Sequence, residues 1–363
     1  MSAEPIRLPR PEPLIRVEDI AYVMFQKPDL ERTERFLLDF GLVRAARTDD
    51  TLHMRGAGPA PSLYTAVRGP RSRYLGSGFR AASRADLETL SRAASVPIEP
   101  SDQPGGGERV RLTDPAGLLV DVVHGRQEVD PLPMRTEPLP LNTPLHKPRV
   151  NRPQRPERRP ARVVRLGHLV LQATDFAASA QWYMRHLGLI PTDVQVLEDG
   201  SPNLAFMRCD RGERPADHHT VVVFGGIADA YAHSAYEVLD LDEVGMGQQA
   251  LLAGGWKHVW GIGRHVLGSQ IFDYWKDPDG DEMEHYADGD VFDASHPTGY
   301  HPMEPSLLWM WGQDLPADFG PRMDPAAVAG VARGLLGGRL SLDRLRLLKR
   351  STAHPARPWL ARK

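Results

Sequence analysis

Residues 166–189 read LGHLVLQATDFAASAQWYMRHLGL. Apolar residues alternate at the start, which is the period of a strand with one buried face. A polar start signal follows, then an amphipathic helix that ends in Gly-Leu, with Gly188 placed as its C-cap. The same order recurs at 20–42, IAYVMFQKPDLERTERFLLDFGL, with Gly41 in the capping place. A second pair joins RLTDPAGLLVDVVHG (111–125) to FDYWKDPDGDEMEHYADG (272–289), each reading strand, Asp-Pro turn, strand. An internal repeat of this kind means two similar halves, 17–125 and 161–290. Within each half the order strand–helix–strands runs twice. In the second half, HTVVVFGG and AHSAYEVL read as strands and LDEVGMGQQALLAGG as a helix. The predicted class is α+β. βαβββ modules stand in tandem and build two domains of curved, mixed, mostly antiparallel sheets, with helices outside and a concave face inside.

The remaining segments are extensions. Residues 1–16 form a Pro-rich extended lead-in, 126–160 a Pro/Arg-rich linker, and 291–363 lid loops and a basic helical tail. HPTGYHPMEPSLLWMWGQDLP supplies the loops, and DPAAVAGVARGLLGG and SLDRLRLLKR the helical patterns. The chain of 363 residues has a net charge of −3, unevenly spread. Residues 147–162 hold seven Lys/Arg against one Glu, and 333–363 hold nine against one Asp. That is an acidic body with two basic straps that can lie on it or stay solvated. The straps lack interleaved aromatics, which argues against nucleic acid. The single cysteine, Cys209, excludes an internal disulfide and suits a reducing cytoplasm. No 18-residue apolar run is present, so no membrane-spanning helix is expected, and the N-terminus does not read as a secretory signal.

Three side chains carry the chemistry. In LGHLVLQ, His168 shares one strand face with Leu166 and Val170. His233 begins the strand AHSAYEVL. In DEMEHY, Glu282, Glu284 and Tyr286 alternate onto one face. Two histidines and a carboxylate on separate strands can form a facial triad, which leaves positions open and suits non-haem Fe(II) or Mn(II). Taken singly, a strand histidine is more often a hydrogen-bonded structural residue. The hairpin sharpens the pattern. With Pro278-Asp279-Gly280 as a three-residue loop, Asp277 faces Asp281 and Tyr274 falls opposite Glu284. His265, nine residues before Tyr274, can approach the same place. A surface hairpin of ordinary polar residues is the plain alternative.

These residues resemble the type I extradiol ring-cleavage dioxygenases of the vicinal oxygen chelate superfamily. The resemblance covers both halves, with its specific motifs in 161–290. It implies His168, His233 and Glu284 as metal ligands, Tyr274 and His265 beside the substrate oxygen, and His219 (with His218 as fallback) as the acid–base residue before Thr220. It implies two vicinal oxygen chelate domains, Fe(II) with Mn(II) as the alternative, a catecholic substrate, O2, a ring-opened semialdehyde-type product and a homo-oligomer. The first half resembles a decayed copy, with Tyr22 where His168 stands, Gly76 near the place of His233 and Asp121 at that of Glu284. One departure is Gly268, where the family commonly has Asp or Asn. Trp256, His258 and Trp260 suit an aromatic pocket. Arg264 alone is basic beside His265, so a neutral or bulky catechol is expected. Other chemistry on the same fold stays open: an α-keto-acid-using dioxygenase, a glyoxalase-type isomerase, or a module that only binds an aromatic compound.

Overall fold

The computed structural model describes residues 3–137, 139–320 and 341–360. The helical pattern DPAAVAGVARGLLGG lies outside the described residues. The first half runs β1 (Val17–Lys27), α1 (Leu30–Asp39), β2 (Val43–Arg47), β3 (Thr51–Arg55), β4 (Tyr64–Arg68), then β5 (Arg73–Ala81), α2 (Arg84–Ala94), β6 (Ile98–Pro100), β7 (Glu108–Thr113) and β8 (Leu119–His124). The second repeats it with β9 (Arg165–Ala173), α3 (Phe176–Leu187), β10 (Ile190–Val196), β11 (Pro202–Arg208) and β13 (Val221–Gly225). Its second module is β14 (Ala230–Glu237), α4 (Leu241–Ala253), β15 (Lys257–His265), β16 (Ile271–Lys276) and β17 (Glu282–Ala287).

The first sheet has the order β2-β3-β4-β1-β5-β8-β7-β6. The second has β10-β11-β13-β9-β14-β17-β16-β15, the same order, with one further strand at each edge: β19 (Gly299–Pro302) beside β10 and β20 (Trp309–Trp311) beside β15. Two short strands, β12 (Ala216–Asp217) and β18 (Val291–Phe292), pair separately. The segment expected as lid loops is therefore partly sheet: bare edge groups at β10 and β15 recruit it.

Local signals place the helices. Asp29 accepts from Arg32 N at 2.9 Å and Asp175 from Ala178 N at 3.0 Å, so both first-module helices start on an Asp cap. Gly188 caps α3 with φ +71°. In α1 the cap is Phe40 and Gly41, at φ +97°, comes one residue later, a correction to the expected position. Gly41 has no room for a side chain, since a Cβ would sit 2.1 Å from the Ala161 carbonyl oxygen.

The two halves share one apolar core, which runs from Leu8 and Phe36 through Tyr183 to Trp275. The Phe40 ring stacks on His285 at 3.8 Å, and its carbonyl accepts from His285 Nε2 at 2.7 Å. Trp256 donates to Asp39 at 2.7 Å, so it packs between the halves and not in an aromatic pocket. Lys27, fully buried at the end of β1, reaches Asp277, Asp281 (2.6 Å) and Asp279 (3.6 Å) in the tight turn between β16 and β17. The basic linker lies on α4: Arg159 pairs with Glu243 at 2.6 Å and Gln154 donates to Asp242. The basic tail forms α5 (Leu342–Thr352), whose Arg344 donates to Ser201, Pro202 and Asn203. No helix among the described residues is long and apolar enough to cross a membrane.

Candidate metal centre

β9, β14 and β17 are neighbours at the middle of the second sheet, and each contributes one donor. Ala235 on β14 pairs with His168 on one side and Glu284 on the other. Cross-strand partners share a face, and alanine leaves the space between its two neighbours open. His233 lies two residues earlier on that face. It stands inside its strand, not at the start as expected, and the register shifts between Tyr231 and His233. The bulge lies before His233, so His233 and Ala235 keep the one face that alternation assigns them.

His168 Nε2 is 3.2 Å and His233 Nε2 is 3.4 Å from Glu284 Oε2, and the three donor atoms lie within 4.8 Å of one another. All three residues are buried. Both oxygens of Glu284 and Nδ1 of His168 are buried without a hydrogen-bond partner. A desolvated carboxylate with no donor is costly unless a cation meets it. Burial alone would raise the Glu284 carboxyl, but the facing His168 and His233 outweigh it and hold the group below the usual carboxylate range. Burial lowers His233 against the pull of Glu284, which keeps that imidazole neutral and ready to ligate. Two imidazoles and an ionised carboxylate on one side of an open space fit a divalent transition metal.

The flanks are equally ordered. The hairpin register places Tyr274 opposite Glu284. Gly280 at φ +92° closes the turn, and Asp277 N donates to Asp281 O at 2.9 Å. His265 donates from Nδ1 to the Leu308 carbonyl (2.7 Å), so its Nε2 accepts from the Tyr274 hydroxyl (3.0 Å). Burial first, then the Glu284 charge, holds the Tyr274 phenol well above its ordinary range. Trp260 stacks on Tyr274 at 5.6 Å, and Phe319 meets the same ring edge-on at 5.1 Å. His258 is turned away and pairs with Asp273 at 2.8 Å. On the other flank the His219 ring lies 4.1 Å from that of His168. His218 stands behind His219, so the geometry favours His219 over its fallback. Burial, then the surrounding imidazoles, holds His219 far below the ordinary histidine range.

Sequence reading missed Leu308, Phe319, Asp193, His301 and Lys27. Leu308 acts through its backbone and leaves no residue-type signal. Asp193, a charged residue inside the strand IPTDVQV, was the one visible cue.

The chain and its fold resemble those of known proteins. A family model described as the Glyoxalase/Bleomycin resistance protein/Dioxygenase superfamily matches residues 165–284. Metapyrocatechase 2 of Cupriavidus necator is 31% identical over 318 residues, covering 86% of this chain and 94% of the relative. An iron-dependent extradiol dioxygenase of Rhodococcus jostii (strain RHA1) is 25% identical, over 84% of this chain and 99% of the relative. A substrate complex of homoprotocatechuate 2,3-dioxygenase from Brevibacterium fuscum superposes with a TM-score of 0.70 at 18% identity, covering 89% of this chain and 95% of that one, a likeness of fold. With the repeat, the shared strand order and a relative of that identity and coverage in hand, the chain belongs to the vicinal oxygen chelate superfamily and, within it, to the type I extradiol ring-cleavage dioxygenases.

Proposed function

We propose that the chain opens a neutral catechol next to its diol with O2, using Fe(II) held by His168, His233 and Glu284, with Mn(II) as the alternative ion. The observation that carries this is the pair of buried, unpartnered Glu284 oxygens facing two imidazoles, with Tyr274–His265 on one flank and His219 on the other. When bound, the metal supplies charge that stabilises an ionised catechol and a common centre that brings it to O2. Tyr274 remains a protonated phenol; with its hydrogen given to His265, its oxygen can accept a hydrogen bond from a catechol hydroxyl. His265 holds that phenol through Nε2 and is itself held by Leu308. His219 is neutral, so it can take a proton from a catechol hydroxyl and return it during ring opening. Both atoms of O2 end in a ring-opened semialdehyde-type acid, and no outside reductant is required.

The substrate is neutral because the concave face beyond the ligands is apolar. Val170, Val222 and Ala232 are buried there, with Leu204, Phe206 and Phe224 packed against them. Arg264 turns away, donating to Ser269 O and pairing with Asp288 at 2.8 Å. The reading extends to a homo-oligomer in the cytoplasm.

The test is anaerobic. Bound iron and manganese are quantified, a panel of neutral and carboxylated catechols is added, and air is admitted while absorbance of a yellow product is followed. One metal per chain and a product band from neutral catechols are expected. Metal with no product from any catechol would remove the ring-cleavage assignment, and failure to bind metal after reconstitution would remove the triad.

A further inference from the structure

Behind His219 lies a chain of hydrogen bonds that the metal site does not itself require. Asp193 on β10 uses both carboxylate oxygens: Oδ2 is 2.8 Å from His218 Nε2 and Oδ1 is 2.7 Å from His301 Nε2. His218 Nδ1 is in turn 2.9 Å from His219 Nδ1. His218 and His219 are 2% and 4% exposed, so water does not compete for the bond between them, whereas the Asp193–His301 end of the chain is half-buried. His301 comes from β19, the edge strand added by the segment after residue 290. The His218 ring is thus tied to β10 directly and to β19 through Asp193.

The donor and acceptor roles follow from chemistry. An ionised carboxylate only accepts, so both histidines donate to Asp193 from Nε2. Burial works against the ionised form of Asp193, but its bonds to His218 and His301 outweigh this and lower the carboxyl. An imidazole with a single ring hydrogen, donated from Nε2 to Asp193, has only a lone pair at Nδ1. His219 must then donate from its own Nδ1, which leaves the lone pair of His219 on Nε2. The hydrogen bond at one ring nitrogen thus sets the state of the other.

The backbone holds the pair in the same way. His218 N donates to Asp290 O at 2.8 Å, and Asp290 N donates to Gly268 O at 2.9 Å. Gly268 has φ +87°, and a Cβ there would stand 3.1 Å from His218 Nδ1. The absence of a side chain at 268 is what gives the His218 ring its place.

We infer that His218, fixed by Asp193 and His301, is a positioning residue that sets the ring orientation and tautomer of His219 toward the substrate. The inference rests on the proposed role of His219 in catechol cleavage. Its consequence is that β19 takes part in turnover without touching substrate.

The test uses metal-loaded full-length enzyme and a neutral catechol, with kcat, KM, metal content and O2 consumed per product all measured. His218→Phe keeps the aromatic volume and loses both hydrogen bonds. It is expected to lower kcat about tenfold to a hundredfold, the range seen for partners that orient a site residue, with KM and metal content unchanged. His218→Gln carries a donor for Asp193 and an acceptor for His219, and is expected to recover most of that loss. Asp193→Asn and His301→Phe should fall between, and they serve if His218→Phe does not fold. Equal kcat in the Phe and Gln variants would overturn the inference, since packing alone would then explain His218. Wild-type kcat in His218→Phe, with turnover lost in His219→Phe, would overturn it while leaving the role of His219 in place. Unchanged turnover in His219→Phe would instead remove the role beneath it.

Discussion

The two halves share one strand order and one register, yet they treat the same buried carboxylate differently. Tyr22 and Gly78 pair as His168 and Ala235 do, and Gly78 and Asp121 pair as Ala235 and Glu284 do. Gly76 thus occupies the place of His233, and Arg111, paired with Asp121, that of Tyr274. In the second half Glu284 has no hydrogen-bond partner at either oxygen. In the first, Asp121 accepts from Tyr22 at 2.9 Å and from Arg111 at 2.7 and 2.9 Å, with Arg109 at 3.7 Å. One carboxylate is placed to meet a diffusible cation, and the other has cations attached to the chain. Gly78 gives the Tyr22 ring its room, since a Cβ there would lie 2.4 Å from that ring. A buried carboxylate in this fold must be compensated, and which compensation it receives decides whether the half is a site or a support.

The largest contrast should come from neutralising each carboxylate. Glu284→Gln is expected to lose the metal and to reduce ring cleavage to background. Asp121→Asn is expected to keep metal content and lose ~3 kcal/mol of stability, because Arg111 loses its counter-ion while Arg109 keeps Glu99 and Asp102. Metal analysis and urea denaturation read the two effects, and metal loss in Asp121→Asn would break the contrast.

Lys27 tests whether the first half supports the second. It is a buried cation from one half among the aspartates of the other half's hairpin turn, three residues from Tyr274 on one strand and from Glu284 on the other. Lys27→Met should cost about 3–5 kcal/mol, as expected for breaking a buried pair. Lys27→Met with Asp277→Asn should return part of that cost in denaturation curves. No recovery would mean that Lys27 acts by packing.

Acid should unfold the halves unequally. Burial is the main cause that lowers both His265 and His285 to about 4 in the folded chain. Unfolded, both titrate near 6.5. Between these values the unfolded chain takes up protons that the folded chain refuses. The stability at stake is therefore full above about pH 6.5 and is lost as pH falls toward 4. Hydrogen exchange on metal-free protein at pH 5 should show β16 and β17 losing protection before β7 and β8, and simultaneous loss would contradict the assignment.

The smallest effect should be symmetric. Asp29→Ala and Asp175→Ala each remove an equivalent N-cap and should each cost about 1 kcal/mol. Unequal costs in thermal melts would show that the halves differ beyond their central carboxylates.

The repeat was legible because a strand and an amphipathic helix write their periods directly into residue order. His168, Glu284 and Tyr274 were legible for the same reason: alternation assigns a face, and a three-residue turn assigns cross-strand partners. What lay outside that local grammar needed three dimensions. His233 stands inside its strand because β14 begins at Ala230, where pairing with β9 and not composition sets the start. The Leu308 carbonyl that holds His265 is a backbone atom. Asp193, the partner of His218, lies 25 residues away, its second partner His301 lies 108 residues from it, and the partners of Lys27 are about 250 residues off. Sequence by itself determined the modules, their duplication and the residues able to ligate. Only the tertiary structure decided which carboxylate stays open and which is closed by arginine. Desolvation and charge compensation depend on what is brought within a few ångströms, not on what is adjacent in the chain.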